Sequence, residues 1–171
     1  MNFPEVQTIV AQALTPATFA AFGDVIEAAR AAHGIVPINE GTAQRFDDLT
    51  QLDVSEQGGA ACVAIFRTQE GAHVAPYGLT MFERHLLGSQ TFVPMAQGRV
   101  VAVLTHGGDA PDENAIQAFI VEPGQGITLK RGVWHHPMIT VGAADVLVIE
   151  RRAAQVDCEI QRVKGRFVVA L

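Results

Sequence analysis

Leu79-Thr80-Met81-Phe82-Glu83-Arg84-His85 sets an acid and an imidazole into an otherwise apolar, strand-like stretch. Strand alternation places Leu79, Met81, Glu83 and His85 on one face. Two of these four are apolar, so the face is expected to point inward. An i, i+2 pair there presents two ligands to one ion. The competing reading is a solvated edge strand. Further along, Lys130-Arg131-Gly132-Val133-Trp134-His135-His136-Pro137 repeats the anomaly. Carboxylates and imidazoles seldom enter a β-protein unless something binds them there.

The surroundings of both stretches read as strand. Ala60 to Arg67, Val100 to Thr105, Ile116 to Val121, Ile127 to Leu129 and Ala144 to Glu150 are short runs rich in β-branched and aromatic residues. Gly and Pro interrupt them at Gly58-Gly59, Gly88, Pro94, Gly107-Gly108, Gly124 and Gly132. Short strands with frequent turn signals indicate an all-β antiparallel barrel or jelly roll. One short N-terminal helix is expected: Thr15 caps it, Pro16 fits its first position, Phe19 and Phe22 share a face, and Gly23 ends it. No repeat or linker divides the chain, so residues 1–171 are expected to form a single domain.

The bulk composition excludes several classes. Apolar residues make up 49% and charged residues 18% of 171, which is a globular balance. A net charge of −6 and a pI near 5.4 argue against nucleic acid. No run of Lys or Arg suggests a membrane surface, and no apolar stretch is long enough to span one. The first residues lack a signal-peptide pattern. Cys62 and Cys158 are too few and too far apart for a disulfide frame and read as reduced core residues, which implies a cytoplasmic protein.

Taken together, the two polar stretches resemble the cupin family. Its first motif has the form HxH, followed by a Glu and a Gly, and its second the form PxGxxH. Here Glu83-x-His85, Gln90 and Gly98 stand for the first motif. Lys130-x-Gly132-x-x-His135 stands for the second, with Lys130 in place of proline. The resemblance implies that Glu83, His85, Gln90 and His135 point into a barrel mouth as a metal set. Two imidazoles, one carboxylate and one amide oxygen suit a late first-row divalent ion. The Glu and Gln replacements also match a barrel that has lost its metal and binds substrate directly.

The resemblance narrows to the ureidoglycolate lyase family. Four blocks carry it in order: Phe22-Gly23-Asp24-Val25-Ile26-Glu27; Ile38-Asn39 with Arg45-Phe46-Asp47-Asp48-Leu49; Glu83-Arg84-His85 through Gly88, Gln90, Phe92 and Pro94-Met95; and Val133-Trp134-His135-His136-Pro137. The tail Lys164 to Leu171 carries no expectation. The resemblance implies cleavage of the C–N bond of ureidoglycolate to glyoxylate and urea in allantoin and purine degradation, a nickel ion, and a homodimer. That chemistry needs a base for the hydroxyl proton, an acid for the departing nitrogen, and a cation for the carboxylate. Two alternatives stand beside it: an amidohydrolase releasing ammonia and carbon dioxide from the same substrate, and a non-catalytic cupin that binds a small acid.

His85, His135 and Glu83 are therefore the expected catalytic residues. Arg45, Arg67, Asn39 and Lys130 are the expected substrate-binding residues. A guanidinium suits a carboxylate, and an amide suits the ureido group. For Arg45 the alternative is an ion pair with Asp47 or Asp48, and for Arg67 a solvated strand end. Alternation turns His135 and His136 to opposite faces; the resemblance to the cupin spacing implies that His135 is the inward one, and Trp134 is expected to pack on the outer face. His33, His73 and His106 lie in polar or Gly-rich loops and are expected to be exposed.

Overall fold

A computed structural model describes residues 5–28 and 34–171. His33 lies outside the described residues. The expected all-β architecture is present. Two sheets face one another as a cupin-like jelly roll. One contains, in spatial order, Glu159–Arg162, Met81–Arg84, Trp134–His135, Val100–Thr105, Gln117–Val121 and Gln12–Ala13, with Ile139–Thr140 pairing beside Val100–Thr105. The other runs Gly23–Ile26, Gly126–Leu129, Gln90–Pro94, Ala144–Arg152 and Ala60–Thr68.

Alternation along these strands builds two cores. Leu104, Ala102 and Val100 meet Phe92, Ile127, Val146 and Val148 between the sheets, with Phe19, Phe22 and Phe119 closing one end. The intervening residues Val101 and Val103 face the other way. They pack with Phe82, Trp134, Phe167 and Val169 in an outer core. That outer core is covered by a third sheet, Val6–Val10, Arg166–Ala170 and Tyr77–Gly78. In it the chain's two ends pair in parallel, from Val6 opposite Arg166 to Val10 opposite Ala170. The tail is thus a structural strand.

The helix is Pro16–Phe19, with Thr15 accepting from the Thr18 amide at 3.2 Å and Pro16 in the first turn, as the sequence requires. Its end differs from expectation. Gly23 does not terminate the helix; it opens the strand Gly23–Ile26. A Cβ on Gly23 would stand 1.8 Å from the Thr128 carbonyl oxygen, so glycine is required by the close approach of the neighbouring strand. Leu79 also departs from expectation. The chain leaves strand geometry at Leu79 and Thr80, where the Leu79 amide bonds the Phe167 carbonyl at 3.0 Å, and Leu79 joins the outer core with Phe82. Glu83 therefore shares no face with Leu79. No helix among the described residues is long and apolar enough to cross a membrane.

Candidate metal centre and cavity

Three strands and one turn bring the polar residues together. Phe82 and Trp134 are fully buried in the outer core, which turns Glu83 and His135 to the inner face. His135 lies opposite both Glu83 and the inner-core Leu104. His85 follows its strand by one residue, and its carbonyl accepts from the Gly132 amide at 2.7 Å. Gly132 makes that turn with φ of 76°, a region glycine adopts without a Cβ penalty. Ligand atoms of Glu83, His85 and His135 lie within 4.8 Å of one another.

The hydrogen bonds fix the imidazole tautomers. His135 Nδ1 lies 3.0 Å from the Val133 carbonyl oxygen, and His85 Nδ1 contacts the Asp157 carbonyl oxygen. A carbonyl can only accept, so both Nδ1 atoms carry a proton, and in the neutral imidazole each Nε2 then presents a lone pair. Those two Nε2 atoms and Gln90 Oε1 are buried and have no hydrogen-bond partner. Buried polar atoms are ordinarily satisfied. The two imidazoles of the cluster with a carboxylate beside them fit a divalent cation. The Glu83 carboxyl is held below its ordinary range chiefly by His135, against burial, which pushes it up. Glu83 Oε1 stands 3.6 Å from His135 Nε2, a separation suited to two ligands of a shared ion.

A cavity of about 310 Å³ opens beside this cluster, lined by His85, Glu150, Arg152, Cys62 and Cys158 among others. That size lies at the lower end of small-molecule sites, about 300–1,000 Å³. Both cysteines are free, but they line the cavity and are only half-buried, so the expectation of core cysteines does not hold. Burial first, and then the Glu83 carboxylate, raises the Cys158 thiol to about 11. It stands 3.7 Å from Glu83 Oε2 as a neutral donor.

The remaining expected residues lie apart from the cluster. Arg67 does not point inward: it faces out from Ala60–Thr68 and forms two 2.7 Å bonds with Asp145. Cys62, opposite Glu150, is five positions away, roughly 16 Å along the strand. Arg45 is exposed and bonds Asp47 at 2.7 Å, in a hairpin of Ile35–Ile38 and Ala43–Phe46. Asn39 sits exposed at the turn of that hairpin with φ of 50°. Lys130 Nζ donates to the Ala20 carbonyl at 2.8 Å, tying the turn to the helix end. Trp134 faces outward as expected, under the Arg84 guanidinium at 4.4 Å. His136 accepts from the Thr80 amide and donates to the Pro137 carbonyl, and burial lowers its pKa, so it is a neutral structural residue. His106 is exposed and stacks on Phe22. His73 is half-buried and accepts from the Thr140 amide at 3.1 Å, so it is not the free loop residue expected.

The sequence profile of the ureidoglycolate lyase family matches residues 6–170. The chain belongs to the ureidoglycolate lyase family. A relative named ureidoglycolate lyase from Burkholderia mallei (strain NCTC 10229) is 43% identical over 146 residues, covering 85% of this chain and 83% of its own. One of the same name from Pseudomonas putida is 37% identical over 154 residues, covering 90% of each. Among solved structures, an oxalate decarboxylase formate complex from Lactobacillus farciminis aligns with 64% of this chain and 30% of its own, at 11% identity and a TM-score of 0.40.

Two residues of the cavity had weak sequence signals, and a third had none. Val146, Val148 and Glu150 alternate onto one face, with the first two in the inner core. Glu150, and Arg152 two further on, could have been read from that alternation. Asp157 has no such pattern. Its carboxylate accepts from the Leu86 and Leu87 amides at 2.8 and 2.7 Å, holding the loop that carries His85.

Proposed function

We propose that this single-domain chain cleaves ureidoglycolate to glyoxylate and urea, with Glu83, His85, Gln90 and His135 holding a divalent cation, nickel being the favoured ion. The convergence of unpartnered lone pairs at one end of a barrel, in a chain of this family, supports the reading. A cation bound there would polarise the substrate's carboxylate and hydroxyl and lower the hydroxyl pKa.

The protein's own groups divide the remaining work. Both Nδ1 atoms are committed to carbonyls, so with their Nε2 atoms engaged as ligands the histidines have no site left for a mobile proton. Proton transfer then falls to the carboxylates of the site: Glu150, which lines the cavity, and Glu83, which contacts the lining residue Cys158. One proton leaves the substrate hydroxyl as the carbonyl forms, and one reaches the departing urea nitrogen as the C–N bond breaks. The reaction is balanced without added water. Purified protein supplied with Ni²⁺ is expected to release urea from ureidoglycolate, and to stop after chelation. Ammonia in place of urea would identify an amidohydrolase, and tight binding of the substrate with neither product would identify a non-catalytic binder.

Arg152 is the group best placed for the substrate carboxylate. It lines the cavity on the face of Glu150 and forms no ion pair or side-chain hydrogen bond among the described residues. Arg45, Arg67, Arg84 and Arg131 are each paired with acids. Arg152→Ala is expected to raise KM for ureidoglycolate roughly tenfold or more, as loss of a charged hydrogen bond does, with a smaller change in kcat. An unchanged KM would remove Arg152 from the site.

A homodimer fits the second sheet. Ala60–Thr68 is an edge strand whose outer face carries Val63 and Ile65, 66% and 48% exposed. A long apolar edge invites pairing, and a second copy can supply a matching edge across a two-fold axis. Free thiols suit a reducing, cytoplasmic setting.

A further inference from the structure

Gln90 and Glu150 stand opposite one another on adjacent strands, and Gln90 Nε2 donates to Glu150 Oε2 at 2.8 Å. A carboxylate accepts and does not donate. This one bond therefore decides which way the amide points: its NH₂ faces Glu150 and its carbonyl faces away. That carbonyl oxygen is buried without a partner, in a side chain only 5% exposed. Without Glu150 a side-chain amide could present either end to the site.

Glu150 itself is unusual. It follows Val146 and Val148 on the inner face and is half-buried, and no cationic side chain among the described residues forms an ion pair with it. An interior carboxylate whose hydrogen-bond partner is an amide keeps most of its charge uncompensated. Glu83 adds a second carboxylate beside the two imidazoles of the cluster.

We infer that Glu150 is a positioning residue that turns the Gln90 carbonyl oxygen toward the Glu83–His85–His135 cluster, making Gln90 a fourth donor to a divalent cation, and that its carboxylate supplies the site's second negative charge from behind that donor. The inference rests on the cation reading given above. An amide oxygen is a weak neutral ligand. A carboxylate one hydrogen bond behind it polarises the amide and adds attraction without occupying a position on the ion.

The pair has an exchange symmetry that tests this. In Q90E/E150Q, the carboxylate at 90 can offer one oxygen to the ion and accept from the amide at 150 with the other. Both the donor and the charge are then restored. The metal-stripped protein would be titrated calorimetrically with Ni²⁺ and, separately, Mn²⁺, with thermal unfolding confirming the fold of each variant. E150Q is nearly isosteric. It is expected to weaken binding by about 10- to 100-fold, the range found for residues that orient a ligand. E150L should weaken it at least as much, and the exchanged pair should recover most of the loss. Wild-type affinity in folded E150L overturns the inference while leaving the cation reading intact. Failure of the folded exchange variant to recover does the same. If the wild-type protein binds neither ion, the cation reading falls and takes the inference with it.

Discussion

His135→Ala is expected to lower urea release by about 10²- to 10⁴-fold, the scale on which positioned polar groups contribute to such steps. The residue is 4% exposed, and its Nε2 is buried without a hydrogen-bond partner beside Glu83 and His85. It is also the largest influence holding the Glu83 carboxyl below its ordinary range. Alanine removes both contributions. His73→Ala is the matched control. His73 is tied to Thr140, which pairs with Val100, near the opposite end of Val100–Thr105 from the Leu104–His135 pairing. Its activity should be nearly that of the wild type. Equal losses in the two variants would show that the cluster is not the reacting centre.

Trp134→Ala is expected to destabilise the fold by about 3–5 kcal/mol, the usual result of truncating a fully buried large aromatic side chain. Trp134 has no exposed surface and fills the outer core with Phe82, Val101 and Val103. Its Nε1 donates to the Gly108 carbonyl at 3.3 Å, and the Arg84 guanidinium covers the ring. For a chain of this size the loss corresponds to a melting temperature lower by roughly 6–20 °C. It is the chain's one tryptophan, so unfolding should be followed by circular dichroism rather than intrinsic fluorescence. Trp134→Phe, which keeps most of the apolar volume, should lose much less. A melting temperature within a degree of wild type in the alanine variant would mean that Trp134 is not a packing anchor. Because Trp134 and His135 are consecutive and face opposite ways, loosening the first also loosens the second.

The parts of the fold that were legible in the sequence are local. Val100 to Thr105 shows its β-branched run, and that strand occupies Val100–Thr105. Thr15 and Pro16 announce the helix start through one hydroxyl and one fixed φ. The spacing of Glu83, His85 and His135 carries over as well, because two strand periods and one glycine turn determine which way those side chains point.

Where expectation failed, contacts between distant segments were responsible. Arg67 faces out because pairing with Asp145 sets the parity of Ala60–Thr68, leaving Cys62 and not Arg67 on the cavity side. Leu79 leaves the face of Glu83 because its amide pairs with Phe167, a tail residue with no visible sequence signal. Gly23 is a glycine for the sake of Thr128, far along the chain.

The chain by itself thus determined an all-β fold, the two polar segments, and the inward side of Glu83, since alternation and turn chemistry act over a few residues, while the inward side of His135 came from the resemblance to the cupin spacing. Only the tertiary structure decided that Glu150 stands against Gln90, that Arg152 lines the cavity, and that both imidazoles present Nε2. Those outcomes depend on register between strands and on backbone carbonyls placed across the barrel, which local sequence does not encode.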